Sequence, residues 1–109
     1  MDEAVAPTIF FELSDGRILP VVADGSVYTV LAAAKRDNIP GIDGQCGGNL
    51  ACASCHVYVA AHWLAIVGPP GKSERDMICL TDDPRSESRL CCQIRIEPKL
   101  DGLHLTIAP

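Results

Sequence analysis

Three cysteines stand close together in Q-C-G-G-N-L-A-C-A-S-C, residues 45–55, where Cys46, Cys52 and Cys55 take the spacing C-x5-C-x2-C. A fourth thiol lies far downstream, in the pair Cys91-Cys92. Three near sulfurs and one distant one can cage an inorganic centre if the distant segment folds back over the loop. Soft thiolates suit iron–sulfur clusters and zinc. Structural zinc sites usually space their sulfurs as two close pairs, and here Cys52/Cys55 makes one such pair with Cys46 outlying. The spacing favours a 2Fe–2S cluster and leaves open, from a different class, a zinc-stabilised interaction module that carries no electrons.

A cage of this kind needs a pliant loop on a firm frame. Gly41, Gly44, Gly47 and Gly48 fall in the segment 41–55, where a backbone wrapping a cluster uses positive φ and turns its N–H groups towards sulfur. Ala51, Ala53 and Ser54 keep side chains small there. For the frame, residues 8–13 are β-rich, 14–17 carry turn chemistry, and 18–23 read as the returning strand, with Pro20 marking an edge or an irregularity. Asp24-Gly25-Ser26 offers a turn and a candidate N-cap. Val27, Val30, Leu31 and Ala34 then follow at helical spacing until Asn38-Ile39-Pro40-Gly41 stops what should be the longest helix. A strand is expected at 56–59, a brief helix at 61–67, a second helix from Ser73 to about Thr81, a strand at 90–96 carrying the fourth thiol, and a final strand at 103–107. In a strand, neighbouring side chains point to opposite faces, so only one of Cys91 and Cys92 should reach the cage. The order β-β-α-loop-β-α-β-β predicts a small α+β domain, a mixed sheet with a helix across one face.

With 109 residues, 48% hydrophobic and 21% charged, the chain should fold as a single domain over residues 1–109. Its net charge of -5 grows by about −2 once four thiolates, two ferric ions and two sulfides are added. Such acidity repels nucleic acid and steers towards basic proteins. No secretory signal pattern and no membrane-length apolar run are present, so a cytoplasmic, membrane-free protein is expected. The reducing environment there disfavours pairing the six cysteines as disulfides. No nucleophile–base signature, P-loop or dinucleotide-binding glycine pattern occurs, so the chain is not expected to be an enzyme.

The stretches C-G-G-N-L-A-C-A-S-C-H-V-Y-V (46–59) and R-L-C-C-Q-I (89–94) closely resemble adrenodoxin/putidaredoxin-type 2Fe–2S ferredoxins, and the likeness spans nearly the whole chain. The first gap is one residue longer than the C-x4-C-x2-C of plant-type ferredoxins. The resemblance implies a β-grasp fold and one 2Fe–2S cluster held by Cys46, Cys52, Cys55 and Cys92, leaving Cys79 and Cys91 as free thiols. His56 becomes a structural link between the cluster loop and the rest of the domain. It also implies a monomeric one-electron carrier. Such a carrier takes electrons from an FAD-containing, NAD(P)H-dependent ferredoxin reductase and serves a bacterial cytochrome P-450 monooxygenase. A ferredoxin for iron–sulfur cluster assembly is the rival role within the same fold. Partner docking falls on Glu74 and Asp76, which match acidic positions of adrenodoxin-type chains, with Asp82 and Asp83 nearby. Gln45 stands where putidaredoxin-like chains carry an aspartate, while Lys72 and Cys79 replace docking acids. Docking through apolar contacts around Gln45, Leu50 and Ala51 is the competing mode.

Overall fold

The computed structural model describes residues 6–42 and 55–108. Expectations for Gln45, Cys46, Leu50, Ala51 and Cys52 therefore lie outside the described residues. Among the described residues a five-stranded sheet runs in the order β2-β1-β5-β3-β4. β1 (Thr8–Glu12) and β2 (Ile18–Val22) form an antiparallel hairpin with Phe10 opposite Pro20. Ile9 and Phe11 alternate inward and are fully buried, the period-2 pattern of a half-covered strand. The hairpin closes where Leu13 N–H donates to the Arg17 carbonyl at 2.8 Å, with Gly16 at φ +91°.

β5 (His104–Ile107) lies parallel to β1 and antiparallel to β3 (His56–Val59), and β3 pairs antiparallel with β4 (Ser88–Leu90). The sheet is mixed, as expected. Pro20 sits on an edge strand. Because Phe10 N–H donates away from β2, to the Leu103 carbonyl at 2.8 Å, the nitrogen of its partner Pro20 faces outward. A donor is missing from the open edge and not from the ladder.

Helix α1 (Val30–Arg36) starts later than its sequence signals suggested. Asp24 instead closes a local turn, its side chain accepting from Ser26 N–H at 2.9 Å. Thr29 is the N-cap, its Oγ1 accepting from Ala32 N–H at 3.1 Å. The stop at residues 38–41 is as anticipated, and its mechanism is visible. Asn38 takes φ 56°, Ile39 N–H donates to the Ala34 carbonyl at 2.9 Å, and Asn38 N–H donates to the Lys35 carbonyl at 3.2 Å. This is a Schellman closure with asparagine at the left-handed position. α1 is not longer than the other main helix: each covers 7 residues.

Past β3 come a 3-10 turn (Ala61–Trp63), the short helix α2 (Leu64–Val67) and helix α3 (Lys72–Ile78), with two further turns carrying the chain to Thr81. The expected strand at 90–96 does not form. β4 ends at Leu90 and the chain curls into a 3-10 turn, Cys91–Gln93, closed by Ile94 N–H donating to the Cys91 carbonyl at 3.3 Å. The Ile94 carbonyl then accepts from Val30 N–H at 2.9 Å, so the first turn of α1 is stitched to this segment.

Gly41, at φ +89°, approaches β5 so closely that an added Cβ would lie 2.9 Å from Ile107 Cγ2. Both the backbone angle and the contact penalise a side chain. Gly41→Ala should cost about 1–3 kcal/mol, measured by denaturant titration, whereas Gly25→Ala, with open space around it, should be nearly neutral.

Candidate metal centre

Cys55 enters β3 with no exposed surface, and its carbonyl accepts from Cys91 N–H at 3.0 Å. That bond joins the end of the cysteine-rich loop to the distant cysteine pair. Cys91 and Cys92 are 0% and 7% exposed, and both side chains stand near enough to the Cys55 thiol to shift its pKa. The expectation of opposite faces is therefore corrected. A 3-10 turn does not alternate its side chains as a strand does, and both sulfurs come to Cys55.

The Cys55 thiol is pushed up to about 12, first by its hydrogen bond with the Cys91 side chain and further by burial. The Cys92 thiol and backbone N–H act in the opposite sense. Unmetallated, Cys55 holds its proton. A bound metal would displace that proton, the usual linkage between thiolate ligation and proton release. Gln93 Nε2 donates to Cys92 Sγ at 3.5 Å. A buried, soft, sulfur-only donor set with N–H groups turned towards it fits an iron–sulfur cluster.

His56 follows Cys55 but is engaged elsewhere. It is buried, its Nε2 lies 2.7 Å from Ser88 Oγ, and its ring meets Tyr58 edge-on at 5.1 Å. Burial holds its pKa below the usual range, so the ring is neutral at pH 7. Donation from Nε2 leaves only a lone pair unsatisfied at the buried Nδ1. Ser88 Oγ also accepts from Arg85 N–H at 2.9 Å, and Tyr58 O–H donates to the Asp83 carbonyl at 2.6 Å. His56 thus links the site to the segment 83–88, the structural part expected of it. His62 is exposed, and His104 pairs with Glu12 at 2.9 Å on the sheet. Among the described residues no three His, Cys, Asp or Glu side chains come together as a separate metal site.

The acidic residues separate into two groups. Glu74 is corrected: it is 4% exposed and turned inward from α3. Its carboxylate accepts from Arg89 Nε at 2.7 Å, Arg89 Nη2 at 3.1 Å and Leu90 N–H at 2.8 Å, which leaves it nothing to offer a partner protein. Asp76 is exposed and pairs with Lys72 at 3.4 Å. Asp83 pairs with Arg85 at 2.8 Å, and that hydrogen bond holds its carboxyl below the usual range. Asp82 is exposed, with no ion-pair partner among the described residues. Cys79 is exposed at the end of α3, while Cys55, Cys91 and Cys92 are buried, and none of the four is in a disulfide.

Sequence reasoning passed over Arg89 and the Gln93 amide. Arg89 is 7% exposed and spans three segments, also donating to the carbonyls of Gly68 at 2.9 Å and Gln93 at 3.4 Å. The signal was present: an arginine among Leu90, Cys91 and Cys92 must be paired if it is buried.

A family described as the 2Fe-2S iron-sulfur cluster binding domain matches residues 13–97. The chain belongs to this 2Fe–2S ferredoxin family. The ferredoxin is 42% identical to ferredoxin CarAc of Sphingomonas sp over 79 residues, 72% of each chain. It is also 42% identical to putidaredoxin of Pseudomonas putida over 83 residues, 75% of this chain and 76% of that one. Among solved structures, a ferredoxin from Rhodopseudomonas palustris HaA2 superposes at TM-score 0.85 with 43% identity, over 94% of this chain and 96% of the other. Putidaredoxin in its covalent complex with putidaredoxin reductase superposes at TM-score 0.84 with 33% identity, over 92% and 96%. The expected β-grasp architecture is the one these neighbours share. The ferredoxin is an electron carrier rather than an enzyme, and its cofactor is one 2Fe–2S cluster. The zinc alternative is thereby set aside. No described helix is long and apolar enough to cross a membrane.

Proposed function

We propose that this ferredoxin accepts single electrons from an FAD-containing, NAD(P)H-dependent ferredoxin reductase and delivers them to a cytochrome P-450 monooxygenase, with Cys46, Cys52, Cys55 and Cys92 as the cluster ligands. The observation that carries the reading is the likeness, over nearly the whole chain, to a putidaredoxin caught in complex with its reductase. When bound, the cluster supplies one-electron oxidation and reduction. The chain's part is to exclude water and to hold the sulfurs. Cys55, Cys91 and Ile94 are buried around the described half of the site, and the Cys92 N–H and the Gln93 amide point at ligand sulfurs.

With Glu74 inside the fold, the docking acids narrow to Asp76, Asp82 and Asp83, with Gln45 on the cluster loop. Two of these acids already face a cation, Lys72 or Arg85, so the local field is weaker than the sequence suggested. Leu80, 77% exposed just beyond α3, supplies apolar surface beside them.

The test is direct. The purified protein should be red-brown. NADH and a putidaredoxin-type reductase should reduce it to a species with an S = 1/2 EPR signal, and the reduced protein should pass its electron to a ferric P-450. Reduction by dithionite but by no such reductase would sink the reading.

Transfer should slow as salt rises, since exposed charges are screened over about 10 Å at about 0.1 M. Asp76→Asn should slow association by no more than about 1 kcal/mol, the scale of an exposed charge, and leave the visible spectrum unchanged. Stopped-flow rates flat in salt and indifferent to this substitution would favour apolar docking.

A further inference from the structure

We propose that the side-chain amide of Gln93 is a positioning residue that raises the cluster's reduction potential by donating a hydrogen bond to the Cys92 sulfur. Nε2 stands 3.5 Å from Cys92 Sγ. Reduction adds one negative charge to a centre already carrying about −2 with its thiolates. A donor aimed at a ligand sulfur stabilises the more charged state more, so it favours the reduced form. The step is one electron in, with no bond made or broken and the proton remaining on Nε2.

The placement of this donor is built into the fold. Gln93 closes the 3-10 turn that begins at Cys91. Its own carbonyl accepts from Arg89 Nη2 at 3.4 Å, and Arg89 is fixed by the buried Glu74 carboxylate. The amide therefore hangs from a braced turn, and a donor held before the electron arrives need not reorganise when it does. A carboxamide also keeps its proton across the physiological range, so its influence does not vary with pH.

The proposal rests on Cys92 being a ligand, and the two can fail separately. Retention of a normal cluster in Cys92→Ser would remove that ligand. An intact cluster with an unmoved potential in Gln93→Leu would remove only the role of the amide.

Dithionite titration of the holoprotein should show the reduced-to-oxidised ratio of Gln93→Leu, at a fixed ambient potential, falling about threefold to tenfold. A tenfold fall is about 59 mV for one electron. Gln93→Glu, which replaces a donor by a negative charge, should fall further. A loss of thermal stability in Gln93→Leu with an unchanged potential would mark a merely structural residue and overturn the proposal.

Should Gln93→Leu fail to load its cluster, the native side chain still decides. In a Gln45→Met background Gln93 carries the only glutamine side chain. Pulsed EPR of the reduced protein, labelled with 15N at the glutamine side-chain amide, should then show a resolved nitrogen coupling. Its absence would overturn the proposal.

Discussion

Cys92→Ser should yield a protein almost without visible absorbance, while Cys91→Ser should stay red-brown. The adjacent thiols are both buried and both reach Cys55, so burial and proximity do not separate them. What separates them is the Gln93 amide directed at the Cys92 sulfur. A hydroxyl is a harder, weaker ligand for iron than a thiolate. Losing even an outer hydrogen-bond partner of a metal ligand costs about 10–100-fold in affinity, so losing the ligand itself should exceed that. Cys46→Ser, Cys52→Ser and Cys55→Ser should bleach in the same way. Cys79→Ser, at an exposed position, should change nothing visible, and Cys91→Ser should carry a packing cost of about 1 kcal/mol. Iron and sulfide analysis beside the absorbance spectrum checks each variant. Bleaching by Cys91→Ser with Cys92→Ser unaffected would reverse the ligand assignment.

Glu74→Ala and Arg89→Ala should each cost about 3–5 kcal/mol, the range for leaving one half of a buried ion pair uncompensated. The side chains are 4% and 9% exposed and meet through two hydrogen bonds, of 2.7 and 3.1 Å. Removing Glu74 strands a buried guanidinium and leaves Leu90 N–H without its acceptor. Removing Arg89 strands a buried carboxylate and frees the carbonyls of Gly68 and Gln93. For a chain of this size the losses correspond to a Tm lowered by well over about 10 °C. The double variant Glu74→Leu/Arg89→Met should recover much of the deficit, because apolar replacement of a whole buried pair is often close to neutral. Thermal unfolding followed by circular dichroism tests all three. A single-variant loss below about 1 kcal/mol would mean that the pair is dispensable.

Much of the frame was legible because local chemistry and tertiary demand agree in it. β1 alternates, β3 leaves the cysteine loop where the apolar run H-V-Y-V begins, and Asn38-Ile39-Pro40 closes α1 by a local hydrogen-bond motif. The cofactor was legible in the cysteine spacing, and the match to a 2Fe-2S cluster binding family bears it out. The rest depended on distant residues. Nothing local in L-C-C-Q-I-R-I forbids a strand, and what bends it is backbone pairing with Cys55 on one side and Val30 on the other. Thr29 becomes the N-cap, rather than the turn at 24–26, because the first turn of α1 is tied to Ile94. Glu74 was read as a surface acid although it stands four residues before Ile78, the other buried residue of α3. That spacing, taken with an arginine in an apolar stretch, was the available clue to the inward pair.

Each rim of the sheet lacks a free hydrogen-bonding donor at one position where another chain's backbone would add. At the β2 rim Pro20 offers no N–H outward, and at the β4 rim Leu90 N–H is already bonded to the Glu74 carboxylate. Open rims are templates for aggregation. A carrier that repeatedly meets two different proteins would be captured by any encounter that zipped into shared sheet. Where its rims are interrupted in this way, recognition is left to side chains. The buried glutamate that contributes no charge to docking therefore helps keep each encounter brief.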